Sequence, residues 1–183
     1  KLIGPLVDPV SFGGDPEDSF DVVIPSLPGF GFSTPLRTSG INYETTADLW
    51  VELMQKELGY EKFAAQGGDW GALTTSALGH KYADRLIGIH LTGTYKLNLF
   101  DTVTPWSPGG GNINAIEDYD LRQNIADRMR RFSSHVAVQV NDPQSLAYAM
   151  HDSPVGMFAW LLERRRNWSD CDGDVERAFS KEH

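Results

Sequence analysis

Between residues 20 and 92 short apolar runs alternate with segments of helical periodicity, and this alternation restricts the fold more than any other feature. Residues 20–26 (FDVVIPS) form a β-branched apolar run ended by Pro and Gly signals and predict a buried strand. LPGFGFSTP follows as a turn-rich loop. Residues 45–58 place Leu49, Leu53, Met54 and Leu58 at helical spacing; Thr45 or Thr46 can cap the start and Gly59 can end it. Residues 62–66 and 86–92 predict two further strands, and residues 70–82 a helix between them. Strands separated by helical segments imply right-handed crossovers and a parallel sheet, an α/β architecture. Residues 1–19, rich in Gly, Pro and Asp, read mostly as loop.

Beyond Gly93 the character changes. Residues 95–115 look irregular, and residues 116–135 and 143–168 read as helices with no strand between them. Asp142-Pro143 and Ser153-Pro154 each put a capping side chain before a proline at the first helical position. The expected organisation is an α/β unit over 1–93 and an all-helical unit over 94–183.

Charge narrows the partners. Sixteen Lys and Arg against 25 Asp and Glu leave a formal charge of −9, which repels phosphate backbones and argues against nucleic acid. Anionic lipid gains no polybasic attraction either. One cysteine, Cys171, excludes an internal disulfide and a multi-cysteine metal site. No apolar run approaches the roughly 20 residues that cross a bilayer, and no signal peptide is visible, so the expected compartment is cytoplasmic. The first residue is Lys1 rather than Met, which predicts a missing N-terminus.

The segment that carries chemistry is Gln66-Gly67-Gly68-Asp69-Trp70-Gly71. It joins a predicted strand to a predicted helix and has the spacing small-x-nucleophile-x-small of a nucleophile elbow. Such a turn crowds the backbone, so positions 67 and 71 are expected to need small residues. It lifts the central side chain above the carboxyl end of the sheet and aims the Trp70 N–H into the site as an oxyanion donor. The central residue is Asp, which changes the reaction. A carboxylate is ionised at neutral pH and needs no base; it attacks an electrophilic sp³ carbon to give an alkyl ester, which activated water then hydrolyses. Suitable substrates carry a strained oxygen or a good leaving group, an epoxide or a halide. The plainer alternative is that Asp69 only caps the helix beginning at Trp70; the flanking glycines favour the elbow.

GGDWG, the loop VVIPSLPGFGFS and the segment DSPVGMFAWLLERRRNWSDCDGD together resemble epoxide hydrolases of the α/β-hydrolase superfamily, nearest the microsomal type, over essentially the whole chain. The resemblance implies a partial α/β-hydrolase parallel sheet with helices on both faces over 1–93, and part of a helical cap over 94–183. It implies hydrolysis of an apolar epoxide to a vicinal diol, with Asp69 as nucleophile, the Trp70 amide in the oxyanion hole, and no metal or organic cofactor. Phe30, Trp70 and cap aromatics are expected to line a pocket between sheet and cap. Members of the family carry an HGWPG-like loop upstream and an acid and base histidine downstream of the cap. Their absence implies a fragment with both ends cut away, which is expected to be unstable and inactive by itself.

In the family a cap Tyr donates a hydrogen bond to the epoxide oxygen. Aligning HVAVQVNDPQ with the Tyr-x-x-x-Gln segment puts His135 at that position, with Gln139 as anchor. An imidazole can also donate, with more pH dependence; otherwise His135 is an ordinary cap residue. Of the other histidines, His80 is expected on the outer side of its helix, His90 facing the site or the core, and His151 in a turn between helices. His183 is terminal. Tyr119 and Tyr148 read as packing aromatics, Met157, Phe158, Trp160, Leu161 and Leu162 as a helix core face, and Arg164, Arg165 and Arg166 as a solvated face. Asp170, Asp172 and Asp174 lack the EF-hand register, because Gly173 is misplaced, and read as a turn. Two alternatives remain: a haloalkane dehalogenase, which uses the same Asp nucleophile and is told apart by halide release, and a non-catalytic binder of apolar small molecules, supported only by His135.

Overall fold

Two strands, β1 (Phe63–Gly67) and β2 (Leu86–Leu91), pair in parallel with Gln66 opposite His90 and Gly67 opposite Leu91. They belong to a computed structural model that describes residues 1–95, 97 and 113–181. By their contacts the residues fall into two units, Lys1–Tyr95 and Lys96–His183.

In the first unit a short helix, α1 (Ile3–Val7), and two single 3₁₀ turns occupy the stretch expected to be loop. Asp8 and Asp15 nucleate those turns by accepting the amides of Ser11 and Glu17. Helix α2 (Tyr43–Glu52) starts earlier than expected, because Asn42 rather than Thr45 or Thr46 caps it. Asn42 Oδ1 accepts the Glu44 and Thr45 amides, each at 2.9 Å, and Thr45 Oγ1 accepts the Asn42 amide at 2.8 Å. That reciprocal pair satisfies more end groups than a lone threonine can. A π-helical turn, Leu53–Glu57, extends α2, and Gly59 at φ 77° takes the chain away.

Helix α3 (Trp70–Lys81) crosses from β1 to β2 and carries most of the burial, through Ala72, Leu73, Thr74, Thr75, Ala77 and Leu78. It packs on α2 and on one face of the strand pair. Gly79 is small because a Cβ there would sit 2.9 Å from Ile89 on β2. Ile89 and Gly67 therefore face α3, and the alternating Gln66 and His90 lie on the opposite face, where both are exposed among the described residues. On the outer side Asp48 of α2 takes hydrogen bonds from Lys81 Nζ and, at 2.7 Å, from Tyr82 OH. Those two donors hold the Asp48 carboxyl below the usual range, and the same carboxylate raises Lys81 and Tyr82.

Residues 20–26 do not form the expected strand. A strand exists only through a ladder, and β1 and β2 pair with each other, not with this run. Val23 and Ile24 are exposed, and the run is tied at its start by the Phe20 amide to Leu6 O and by Tyr60 OH to Asp21. Apolar composition marks the run as suited to a sheet; it does not supply a neighbour.

The second unit is helical: α4 (Tyr119–Asn141), α5 (Pro143–Asp152) and α6 (Pro154–Trp168). Ser153 caps α6 as expected, its Oγ accepting the Gly156 amide at 3.0 Å. Asp142 makes no such side-chain bond. It also closes α4, its amide donating to Val138 O, so its backbone serves two helices. The expected core face of α6 is not buried: Met157, Phe158 and Leu161 are exposed, and none of the three helices buries a residue. Arg164 departs the other way. Its side chain is 11% exposed, donates to Ser134 Oγ at 2.9 Å and stacks over Trp160, whereas Arg165 and Arg166 are exposed. Most of the irregular stretch expected at 95–115 lies outside the described residues. Among those described, no helix is long and apolar enough to cross a membrane.

Candidate active site

The junction of β1 and α3 is shaped by what cannot fit there. A Cβ on Gly67 would fall on the backbone carbonyl of Gly71 and lie 2.7 Å from Thr75 Oγ1. Position 67 therefore admits only glycine without a backbone shift. Position 71 behaves differently from expectation, since a Cβ on Gly71 meets nothing within 4 Å among the described residues. It is the carbonyl of residue 71, not its side-chain space, that crowds the turn. Position 68, which the motif leaves free, is blocked: a Cβ there would collide with Thr92 Oγ1.

Asp69 sits at φ 52°, ψ −126°, a conformation that costs a non-glycine residue about 1–3 kcal/mol. Its carboxylate Oδ1 accepts the Trp70 N–H at 2.7 Å. This arrangement separates it from an ordinary helix cap, which has an extended backbone and bonds the amide of the second or third helical residue. Asp69 instead turns back on the first amide. Its backbone carbonyl accepts the Ala72 amide at 3.0 Å, so helix and carboxylate share one pivot. Among the described residues Oδ2 has no hydrogen-bond or ion-pair partner, and Asp69 is exposed. The positive end of α3 favours the negative charge. Thr74 Oγ1 donates to Trp70 O at 3.2 Å and fixes the first turn from behind.

Asp69 and Trp70 are thus brought together as the spacing predicts. Trp70 is 47% exposed. Phe30, 69% exposed, lies in the same unit on the loop after residue 26. That loop is braced by Ser26, whose carbonyl accepts Ser33 Oγ at 2.8 Å and whose hydroxyl would be struck by any Cβ on Gly31. His135 belongs to the second unit. It is half-buried on α4, with its ring edge-on to Trp168 at 4.9 Å, and Gln139 is exposed one turn on.

His80 is exposed on α3, as expected. His90 is exposed on the sheet face away from α3 rather than in a core, and among the described residues neither hydrogen-bonds to Asp69. His151 is in the last turn of α5, not in a turn between helices. His183 lies outside the described residues. Tyr119 and Tyr148 are exposed. Asp172 and Gly173 make a left-handed turn in which Asp172 pairs with Arg177 and Asp174 caps the next 3₁₀ turn. Two clefts lie elsewhere, one of about 710 Å³ at Gln55, Glu61 and Arg85, the other of about 560 Å³ at Arg131, Arg166 and Cys171; neither includes Asp69.

The contact the motif did not reveal is Thr92, just beyond β2. Its amide donates to Gly67 O at 3.1 Å, and its hydroxyl blocks position 68. No sequence signal links it to the elbow, because only the parallel register brings the two strand ends together.

The profile of the family described as alpha/beta hydrolase fold matches residues 12–168. A putative epoxide hydrolase of Stigmatella aurantiaca is 42% identical over 182 residues, covering 100% of this chain and 39% of that protein. Epoxide hydrolase 1 of Oryctolagus cuniculus is 33% identical over 193 residues, covering 98% of this chain and 42% of that protein. Juvenile hormone epoxide hydrolase of Bombyx mori is 28% identical over 160 residues, covering 84% of this chain and 34% of that protein. The chain therefore spans well under half the length of these curated relatives.

Proposed function

The chain belongs to the alpha/beta hydrolase fold family, and on that premise we propose that the protein hydrolyses small apolar epoxides to vicinal diols through an ester on Asp69. The observation that carries the reading is the split role of the Asp69 oxygens: Oδ1 is held by the Trp70 amide at 2.7 Å and Oδ2 has no partner among the described residues.

The steps follow from that split. Oδ2 attacks one epoxide carbon, the C–O bond opposite it breaks, and the ring oxygen takes a proton from an acid. An alkyl ester of Asp69 results, with Oδ1 as its carbonyl oxygen. Water, losing its proton to a base, then adds to the carboxyl carbon. The negative charge that forms on Oδ1 already faces the Trp70 N–H, so the donor needs no reorganisation. Collapse breaks the bond between the carboxyl carbon and Oδ2, the base returns its proton to Oδ2 so that the diol leaves carrying that oxygen, and the new carboxyl gives its proton back to the acid. A serine at this position would need a base for the first step; the carboxylate needs one only for the second.

His135 is proposed as the proton source for ring opening, in the place where the relatives' resemblance implies a tyrosine. Support for it is the alignment and its half-buried ring against Trp168. Phe30 and the Trp70 ring are proposed to offer apolar surface to the substrate, supported by their exposure on the unit that carries Asp69. The test is product analysis in the whole protein with a matched epoxide and alkyl halide. Diol formation that Asp69→Ala abolishes is expected; halide release without diol, or diol retained in that variant, contradicts the proposal.

A further inference from the structure

We propose that Thr92 is a positioning residue for the nucleophile, acting as a steric stop behind Gly68; this rests on the reading of Asp69 given above. The elbow must hold Asp69 at positive φ against the tendency of a non-glycine residue to relax. Two contacts oppose that relaxation. On the α3 side, the Gly71 carbonyl and Thr75 close on Gly67. On the β2 side, Thr92 meets both residues that lead into Asp69: its amide donates to Gly67 O at 3.1 Å, and its Oγ1 lies against Gly68.

The Gly68 contact is specific to one side chain. Among the described residues the atoms within 4 Å of a Cβ at position 68 all belong to Thr92, Oγ1 in collision and Cβ at 3.7 Å. Gly68 is not among the residues at positive φ, so its backbone accepts alanine. Glycine is needed there because Thr92 occupies the space, and Thr92 can press on the turn because Gly68 leaves that space. Position 67 has no such reciprocity, since its obstacle includes backbone. Displacing the turn by a fraction of an ångström re-aims Oδ2 without unmaking the binding surface, so the chemical step suffers before substrate affinity does.

A rescue cycle tests this in the whole protein, with cyclohexene oxide as substrate and thermal unfolding as a second readout. Gly68→Ala is expected to lower kcat about 100-fold while leaving KM within a few-fold. Adding Thr92→Ala is expected to return kcat to the level of Thr92→Ala alone, itself down about tenfold, and to restore the unfolding temperature. Thr92→Ser keeps the oxygen and is expected to match wild type, and Thr92→Ala is expected not to rescue Gly67→Ala. An active wild type whose kcat is indifferent to Gly68→Ala, or a double variant no better than Gly68→Ala in both readouts, overturns the role of Thr92. Wild-type protein that forms no diol removes the nucleophile reading itself and the positioning role with it, even where the unfolding temperatures record the rescue.

Discussion

The two units hold their candidate residues by different means. In the first, a helix with six buried residues abuts a strand pair, and Asp69 is pinned where backbone meets backbone. In the second, three helices bury no residue, and His135 is placed by a ring contact with Trp168. Backbone collisions have few alternatives, because a carbonyl cannot change rotamer. Ring contacts between half-exposed helices yield to a change of side chain. Geometry at Asp69 is therefore expected to be intolerant of changes in its own turn and sensitive outside the turn chiefly at Thr92, whereas His135 is expected to respond to any change in the side chains around it.

The sharpest way to break this contrast is at the nucleophile. Asp69→Ala is expected to abolish diol formation, a loss of at least about 10³-fold on the scale of removing a covalent nucleophile. Gly67→Ala comes next. Its Cβ has only backbone and Thr75 to displace, so loss of turnover by about 100-fold or more is expected, with a fall in unfolding temperature by calorimetry. A smaller effect is expected at His135→Phe, which keeps an aromatic edge for Trp168 and removes the N–H; ring opening measured in single turnover should slow by about 10²-fold. An unchanged rate there assigns His135 to packing.

The remaining predictions concern stability in the first unit. Asp48 is held ionised by Lys81 and Tyr82, so its contribution is present above the unfolded carboxyl range and is lost as pH falls through its lowered folded value. Lys81 is raised, so its share is lost instead as pH climbs through the ammonium range. Both side chains are about a third exposed or more, and solvent screening limits the pair to about 1 kcal/mol or less. Asp48→Asn should lower the unfolding temperature slightly at neutral pH and converge with wild type in acid. Least of all is expected at Gly71→Ala. With open space around its Cβ and a helical site, it should be neutral or stabilising by up to about 1 kcal/mol.

What was legible in the residues follows the same divide. β1, α3 and β2 are readable because apolar runs and glycine punctuation act locally, and the sharp turn at Asp69 is readable in part, because the need for glycine at position 67 is a local steric rule. The run at 20–26 misleads, since β-branched residues state a preference for a sheet and not the presence of a partner strand. Asn42 is not legible as the cap, because a capping box depends on two side chains answering each other. Gly71 looked constrained and is open; Gly68 looked free and is blocked, because Thr92 reaches it only through the register of β1 with β2. Arg164 shows the same limit among the helices, its inward turn toward Ser134 being invisible in a run of three arginines.

In this mechanism Oδ2 of Asp69 makes the bond to substrate while the Trp70 amide keeps Oδ1. A single turnover of the whole protein in heavy-oxygen water, followed by mass analysis of the peptide containing Asp69 and of the diol, tests it most directly. Heavy oxygen is expected in the Asp69 carboxylate and none in the first diol released. Label in that diol with an unlabelled Asp69 means that water attacked the epoxide itself, and contradicts it.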